Sequence, residues 1–172
     1  MEIAKPIFYF CHSSGYKWDI VSMIPAFVVA LVILKRNKWF GLCVGYLAIG
    51  STLMHIVDSP VTRIFDGSAM LLIASYLTFR NLTHLVLFNL VANLFLFIYP
   101  PVSLILFIAT IIYLLPKLKL DIVTKALFLL GFLFWILDIT KLYCNGHAIW
   151  HVLSALGIYF LLKRSKKLKL KF

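Results

Sequence analysis

Charge is what this 172-residue chain has least of. Only 13% of its residues are Asp, Glu, Lys or Arg, against 63% hydrophobic, and the mean hydropathy is +1.00. A typical soluble domain carries about 25% charged residues, so a water-facing globular enzyme is excluded, as is a disordered tail. Cysteine is scarce too. Three Cys without a Cys-x-x-Cys pair exclude a thiolate zinc cluster and a disulfide-rich secreted module. Residues 1–14 have a weak apolar core and no small-residue cleavage site, so no cleavable signal peptide is expected. Internal repeats, low-complexity stretches and a second domain are all missing.

What the chain has instead is seven apolar segments, at about 20–34, 39–57, 61–79, 82–98, 102–115, 122–139 and 146–162. Polar or proline-bearing breaks separate them, among them Lys35-Arg36-Asn37-Lys38, Asp58-Ser59-Pro60, Arg80-Asn81, Tyr99-Pro100-Pro101 and Pro116-Lys117. Several segments sit near the lower limit of about 17 residues for a membrane span. In lipid an apolar run must satisfy its own backbone hydrogen bonds, and the alternation of a barrel strand is missing, so each is expected to be a helix. The expected fold is an all-α integral membrane protein, a single seven-transmembrane helix bundle.

Basic residues orient it. Of the 17 Lys and Arg, 13 fall in or close to the breaks after segments one, three and five and in the tail at 163–172, and 4 fall on the other side. Positive residues favour the cytoplasm, which places the C-terminus there and the N-terminus outside. The net charge of +11 then reads as topogenic charge, with the basic cytoplasmic tail facing anionic lipid headgroups. No nucleic-acid partner is expected, because no folded water-facing surface is available to carry one.

This orientation, made from Lys and Arg alone, brings the ionisable residues to one depth near the non-cytoplasmic face. Ser51 and His55 end the second segment, Asp66 begins the third, Asp138 ends the sixth, and His147 and His151 begin the seventh. His147 and His151 are four residues apart, so both rings leave one helix face about 6 Å apart along the axis. That is the spacing by which one helix chelates a metal, and His55 would add a third nitrogen. Three imidazoles and a water make an open zinc site of the catalytic kind. Ser51 shares the face of His55 and can hydrogen-bond a developing oxyanion. Asp66 has just enough chain to return beside His55, where it can accept and return a proton. An intramembrane carboxylate costs about 2.5–3.5 kcal/mol to insert and points to function by default. Such a set suits hydrolysis of an amide or ester in a lipid. The bland alternative is interhelical hydrogen bonding by the histidines.

The runs Gly50-Ser51-Thr52-Leu53-Met54-His55 and Gly146-His147-Ala148-Ile149-Trp150-His151, with Asp66 between them, resemble the alkaline ceramidases. More widely they resemble the CREST superfamily of seven-helix membrane hydrolases. Leu153, Leu156, Gly157 and Tyr159 after the second run, and Trp135 and Asp138 on the sixth segment, are similar to the ceramidase branch. The resemblance implies a zinc-dependent amidase of sphingolipid metabolism that cleaves ceramide, or another N-acyl lipid, to a sphingoid base and a fatty acid. It implies His55, His147 and His151 as zinc ligands, Asp66 as proton shuttle and Ser51 as oxyanion partner. It also implies a disulfide between Cys11 and Cys144. The family's acidic calcium loop is replaced by Ser13-Ser14-Gly15-Tyr16-Lys17-Trp18-Asp19, and calcium, which wants six or more oxygens, is not expected there. Alternatives within reach of the same residues are a lipase cleaving a phospholipid ester and a receptor-like protein with a structural zinc.

Several residues have more than one reading. Asp138 could orient a ligand histidine from behind or pair with Lys141 at i+3. Trp150 could shape the pocket. Cys43 reads as a small apolar filler, Asp19 as a cap or flank of the first segment, and His84 as an interfacial residue at the opposite end.

Overall fold

In the computed structural model, residues 17–79, 81–98, 101–117 and 120–164 are described. They form eight helices: α1 (Lys17–Ser22), α2 (Ile24–Leu34), α3 (Lys38–Ile56), α4 (Pro60–Thr78), α5 (Leu82–Ile98), α6 (Pro101–Lys117), α7 (Ile122–Ile139) and α8 (Gly146–Arg164). The protein is all-helical, with no strand among the described residues. Among the described residues, three stretches are long and apolar enough to cross a membrane: Lys17–Leu34, which joins α1 and α2, Lys38–Ile56 and Ile122–Ile139. The outer surface suits lipid. Phe97 is 72% exposed and Ile122 79%, which in water would be an aggregation surface.

Local chemistry sets the helix ends. Proline at position 25 has no N–H to return to the preceding turn, so α1 and α2 part at Met23 and restart with Pro25 in the first turn. Asn37 caps α3 by accepting from the Phe40 amide at 3.1 Å, and also accepts from the buried Tyr76 hydroxyl of α4 at 3.1 Å. Ser59 and Thr62 cap α4 reciprocally, with Pro60 at the first helical position. Asp121 caps α7 by accepting from the Val123 and Thr124 amides. A tight turn joins α7 to α8, with Lys141 in the left-handed region at φ 60°.

The core lies where α2, α3, α4 and α8 meet. Ala26, Val29, Ala30 and Ile33 pack against Phe40, Val44 and Ala48, with Ile73 and Tyr76 on one side and Ala155 and Ile158 on the other. Small residues let these backbones approach closely. A Cβ on Gly50 would lie 3.2 Å from the Phe65 carbonyl oxygen, so α3 and α4 touch backbone to backbone beside Ser51 and Asp66. A Cβ on Gly146 would lie only 2.1 Å from the Phe134 carbonyl oxygen, which sets the start of α8 hard against α7. These two close approaches place the functional side chains.

Candidate metal centre

His55 ends α3, and His147 and His151 occupy the first two turns of α8. All three are buried, and each offers a ring nitrogen such that these atoms lie within 4.8 Å of one another. Ring centroids are 5.0 Å apart for His55 and His147, 5.2 Å for His55 and His151, and 4.4 Å for His147 and His151. Zinc–nitrogen bonds of about 2.0–2.1 Å in a tetrahedron hold nitrogens about 3.4 Å apart. Small side-chain rotations therefore bring the trio to that geometry.

The residues fit a metal ion by a second test. Nε2 of His151 is buried and makes no hydrogen bond among the described residues. An orphaned buried polar atom costs about 1–3 kcal/mol, and coordination of an ion would remove that cost. Three imidazoles and no thiolate among the cluster favour zinc over the hard cations magnesium and calcium.

Ser51 lies one turn before His55 and is 3% exposed. Asp66 stands half-buried in the second turn of α4, across the backbone contact that α3 and α4 make at Gly50, within side-chain reach of the Ser51 hydroxyl. Sequence spacing expected His55, His147, His151, Ser51 and Asp66 at one end of the bundle. The structure brings the histidines into one cluster and sets Ser51, one turn from His55, beside the start of α4 that carries Asp66.

Other expected residues stand further back. Asp138 is 1% exposed, near the end of α7. Its Cβ faces Gly146, one residue before His147. Lys141 is exposed in the turn that follows α7. Trp150 packs on α7, against Gly131 and with its ring 6.5 Å from that of Trp135. Cys144 is disulfide-bonded and Cys43 is a buried free thiol. Cys11, the disulfide partner that the resemblance implies, and residues 13–16 of the segment that replaces the calcium loop lie outside the described residues, as does most of the basic tail.

Spacing alone missed the contribution of the first helix. Asp19, read as a cap, is 4% exposed and its Oδ2 lies 3.8 Å from Nδ1 of His55. Met23, four residues on, sets its sulfur against Nδ1 of His151. The signal was present: a carboxylate at the head of an apolar run is a functional candidate by the same argument applied to Asp66.

No family model matches the chain, and no curated protein matches it.

Proposed function

We propose that the chain is a seven-span membrane hydrolase of the alkaline ceramidase kind, a zinc-dependent amidase. It cleaves the N-acyl bond of ceramide or a similar lipid to a sphingoid base and a fatty acid. The supporting observation is the buried convergence of His55, His147 and His151, with Ser51 one turn from His55 and Asp66 across the α3–α4 contact from it. In this reading the N-terminus is outside, the C-terminus is cytoplasmic, and the site opens near the non-cytoplasmic face.

Zinc held by the three imidazoles would acidify a water molecule and polarise the scissile carbonyl. Asp66 is the base: its carboxylate takes the proton of the attacking water as the water oxygen bonds to the carbonyl carbon. Asp66 then gives the proton to the amide nitrogen, the carbon–nitrogen bond breaks, and the amine leaves. In this reading Ser51 is coupled to the transfer by a hydrogen bond between its hydroxyl and the Asp66 carboxylate. When Asp66 is ionised it accepts from the Ser51 hydroxyl. Once protonated it can donate to Ser51 instead, and this turns the Ser51 hydroxyl toward the developing oxyanion. Burial of Ser51 and of the histidines excludes bulk water and strengthens each of these interactions. The apolar outer surface lets a lipid reach the site from the bilayer.

Lipid mass spectrometry tests the proposal. The purified protein in nanodiscs receives mixed ceramides and phospholipids, with His151→Ala in parallel. Release of sphingoid base by the parent and not by the variant is expected. Lysophospholipid in its place would replace the amidase with an ester lipase. No product from a zinc-loaded parent would overturn the hydrolase reading in favour of a receptor-like protein.

A further inference from the structure

We propose that Asp19 is a positioning residue for the metal centre: it fixes the ring of His55 from behind, and α1 is thereby part of the site. The inference rests on the metal reading above and extends it to a helix outside the histidine pattern. Its basis is geometric. The Asp19 and His55 side chains are 6% and 0% exposed, and Oδ2 approaches Nδ1 to 3.8 Å. Helix α1 packs against both α3 and α8, the two helices that carry the histidines. Met23, one turn beyond Asp19, lies at Nδ1 of His151. Helix α1 and the residue that follows it therefore back two of the three imidazoles.

Asp19 stands behind a ligand and is not one itself. The cluster of mutually close donor atoms comprises His55, His147 and His151 and does not include Asp19. Its neighbour Ser22 directs its hydroxyl to the main-chain carbonyl of Asp19 at 2.6 Å, away from the carboxylate.

A neutral imidazole carries its proton on either nitrogen, and only the other nitrogen has a lone pair for a metal. A carboxylate facing Nδ1 favours the tautomer with the proton there, which Nδ1 donates to Oδ2. Nε2 is then the lone-pair donor. Closing 3.8 Å to a hydrogen bond takes roughly 1 Å of side-chain movement. Such carboxylate–histidine–metal arrangements hold ring orientation and raise ligand basicity, and losing the carboxylate typically weakens metal affinity 10- to 100-fold.

The test compares parent, Asp19→Ala, Asp19→Asn and Asp19→Glu in detergent micelles. Zinc affinity is read by competition with a chromophoric chelator, fold by helical circular dichroism, and the His55 tautomer by nitrogen-15 resonances of the metal-free protein. Asp19→Ala is expected to bind zinc about 10- to 100-fold more weakly, with His55 losing its preference for the Nδ1–H tautomer. Asp19→Glu should recover most of the affinity. The near-isosteric Asp19→Asn keeps the packing, so a fall in its affinity at unchanged helicity separates positioning from folding. Affinity of Asp19→Ala within twofold of a zinc-binding parent, or a His55 tautomer unchanged by it, overturns the role of Asp19 alone. A parent that binds no zinc overturns the metal reading with it.

Discussion

A glycine series probes the packing that holds the site together. At Gly45 an added Cβ meets only the Ala30 Cβ at 3.9 Å, an ordinary contact. Alanine there gains about 0.5–1 kcal/mol of helical preference at little steric cost. At Gly50 the Cβ would stand 3.2 Å and 3.3 Å from the Phe65 carbonyl oxygen and carbon and 3.4 Å from the Asp66 nitrogen. All three are backbone atoms, so α4 itself must give by a few tenths of an ångström. Overpacking costs about 1–3 kcal/mol, which offsets the helical gain and leaves a net loss of up to about 2 kcal/mol. At Gly146 the Cβ would fall 2.1 Å from the Phe134 oxygen and 3.1 Å from the Asp138 Cβ. Relief demands roughly 1 Å of movement between α7 and α8, so the loss should reach at least about 2 kcal/mol. It should also displace His147, the next residue. Reversible unfolding in mixed micelles, titrated with SDS and followed by circular dichroism, measures the series, and zinc affinity is read on the same samples. The expected stability order is Gly45→Ala, parent, Gly50→Ala, Gly146→Ala, with zinc binding weakened most in the last. Gly146→Ala as stable as the parent, or Gly45→Ala less stable than Gly50→Ala, would refute the close helix contacts on which the site geometry depends.

Four further outcomes are expected. Asp66→Asn should lower kcat about 10²–10⁴-fold in the lipid assay while zinc content stays at one per chain; loss of zinc instead would move Asp66 from proton transfer to metal binding. Removal of the metal by a chelator should abolish product release and leave helical dichroism largely intact; collapse of the helices would make the metal structural. Asn37→Ala should cost about 1–2 kcal/mol, because the Phe40 amide and the buried Tyr76 hydroxyl lose one acceptor together; an unchanged unfolding midpoint contradicts that double role. Arg63→Ala, which removes a bidentate pair with Asp58 at 2.6 and 2.7 Å, should cost under about 1 kcal/mol, since both side chains are about one-third exposed and solvent screens the pair.

The all-helical character was legible because it follows from solvent chemistry. Apolar runs of this length have no water to satisfy their amides. The polar residues between the runs announce helix ends by their own side chains: Asn37, Ser59 and Asp121 each accept from the first turn that follows them. The i, i+4 relation of His147 and His151, and of Ser51 and His55, was equally local, since helical periodicity alone puts each pair on one face. Asp19 escaped for the opposite reason. A carboxylate in the first turn of a helix is well explained by the helix dipole, and nothing local says that it turns inward. Asp138 shows the same limit: its i+3 partner Lys141 follows a helical rule, but α7 ends just before it and Lys141 points into solvent from a left-handed turn.

By itself, then, the sequence determined helices, their ends and which chemical groups share a face, because those depend on contacts a few residues apart. Tertiary structure decided which faces meet. That His55 closes on the α8 pair, that Asp19 backs His55, and that Met23 reaches His151 across 128 residues of chain depend on backbone approaches such as those at Gly50 and Gly146. Such contacts are set by the packing of several helices at once, and close packing transmits a displacement at one crossing to every side chain the helix carries.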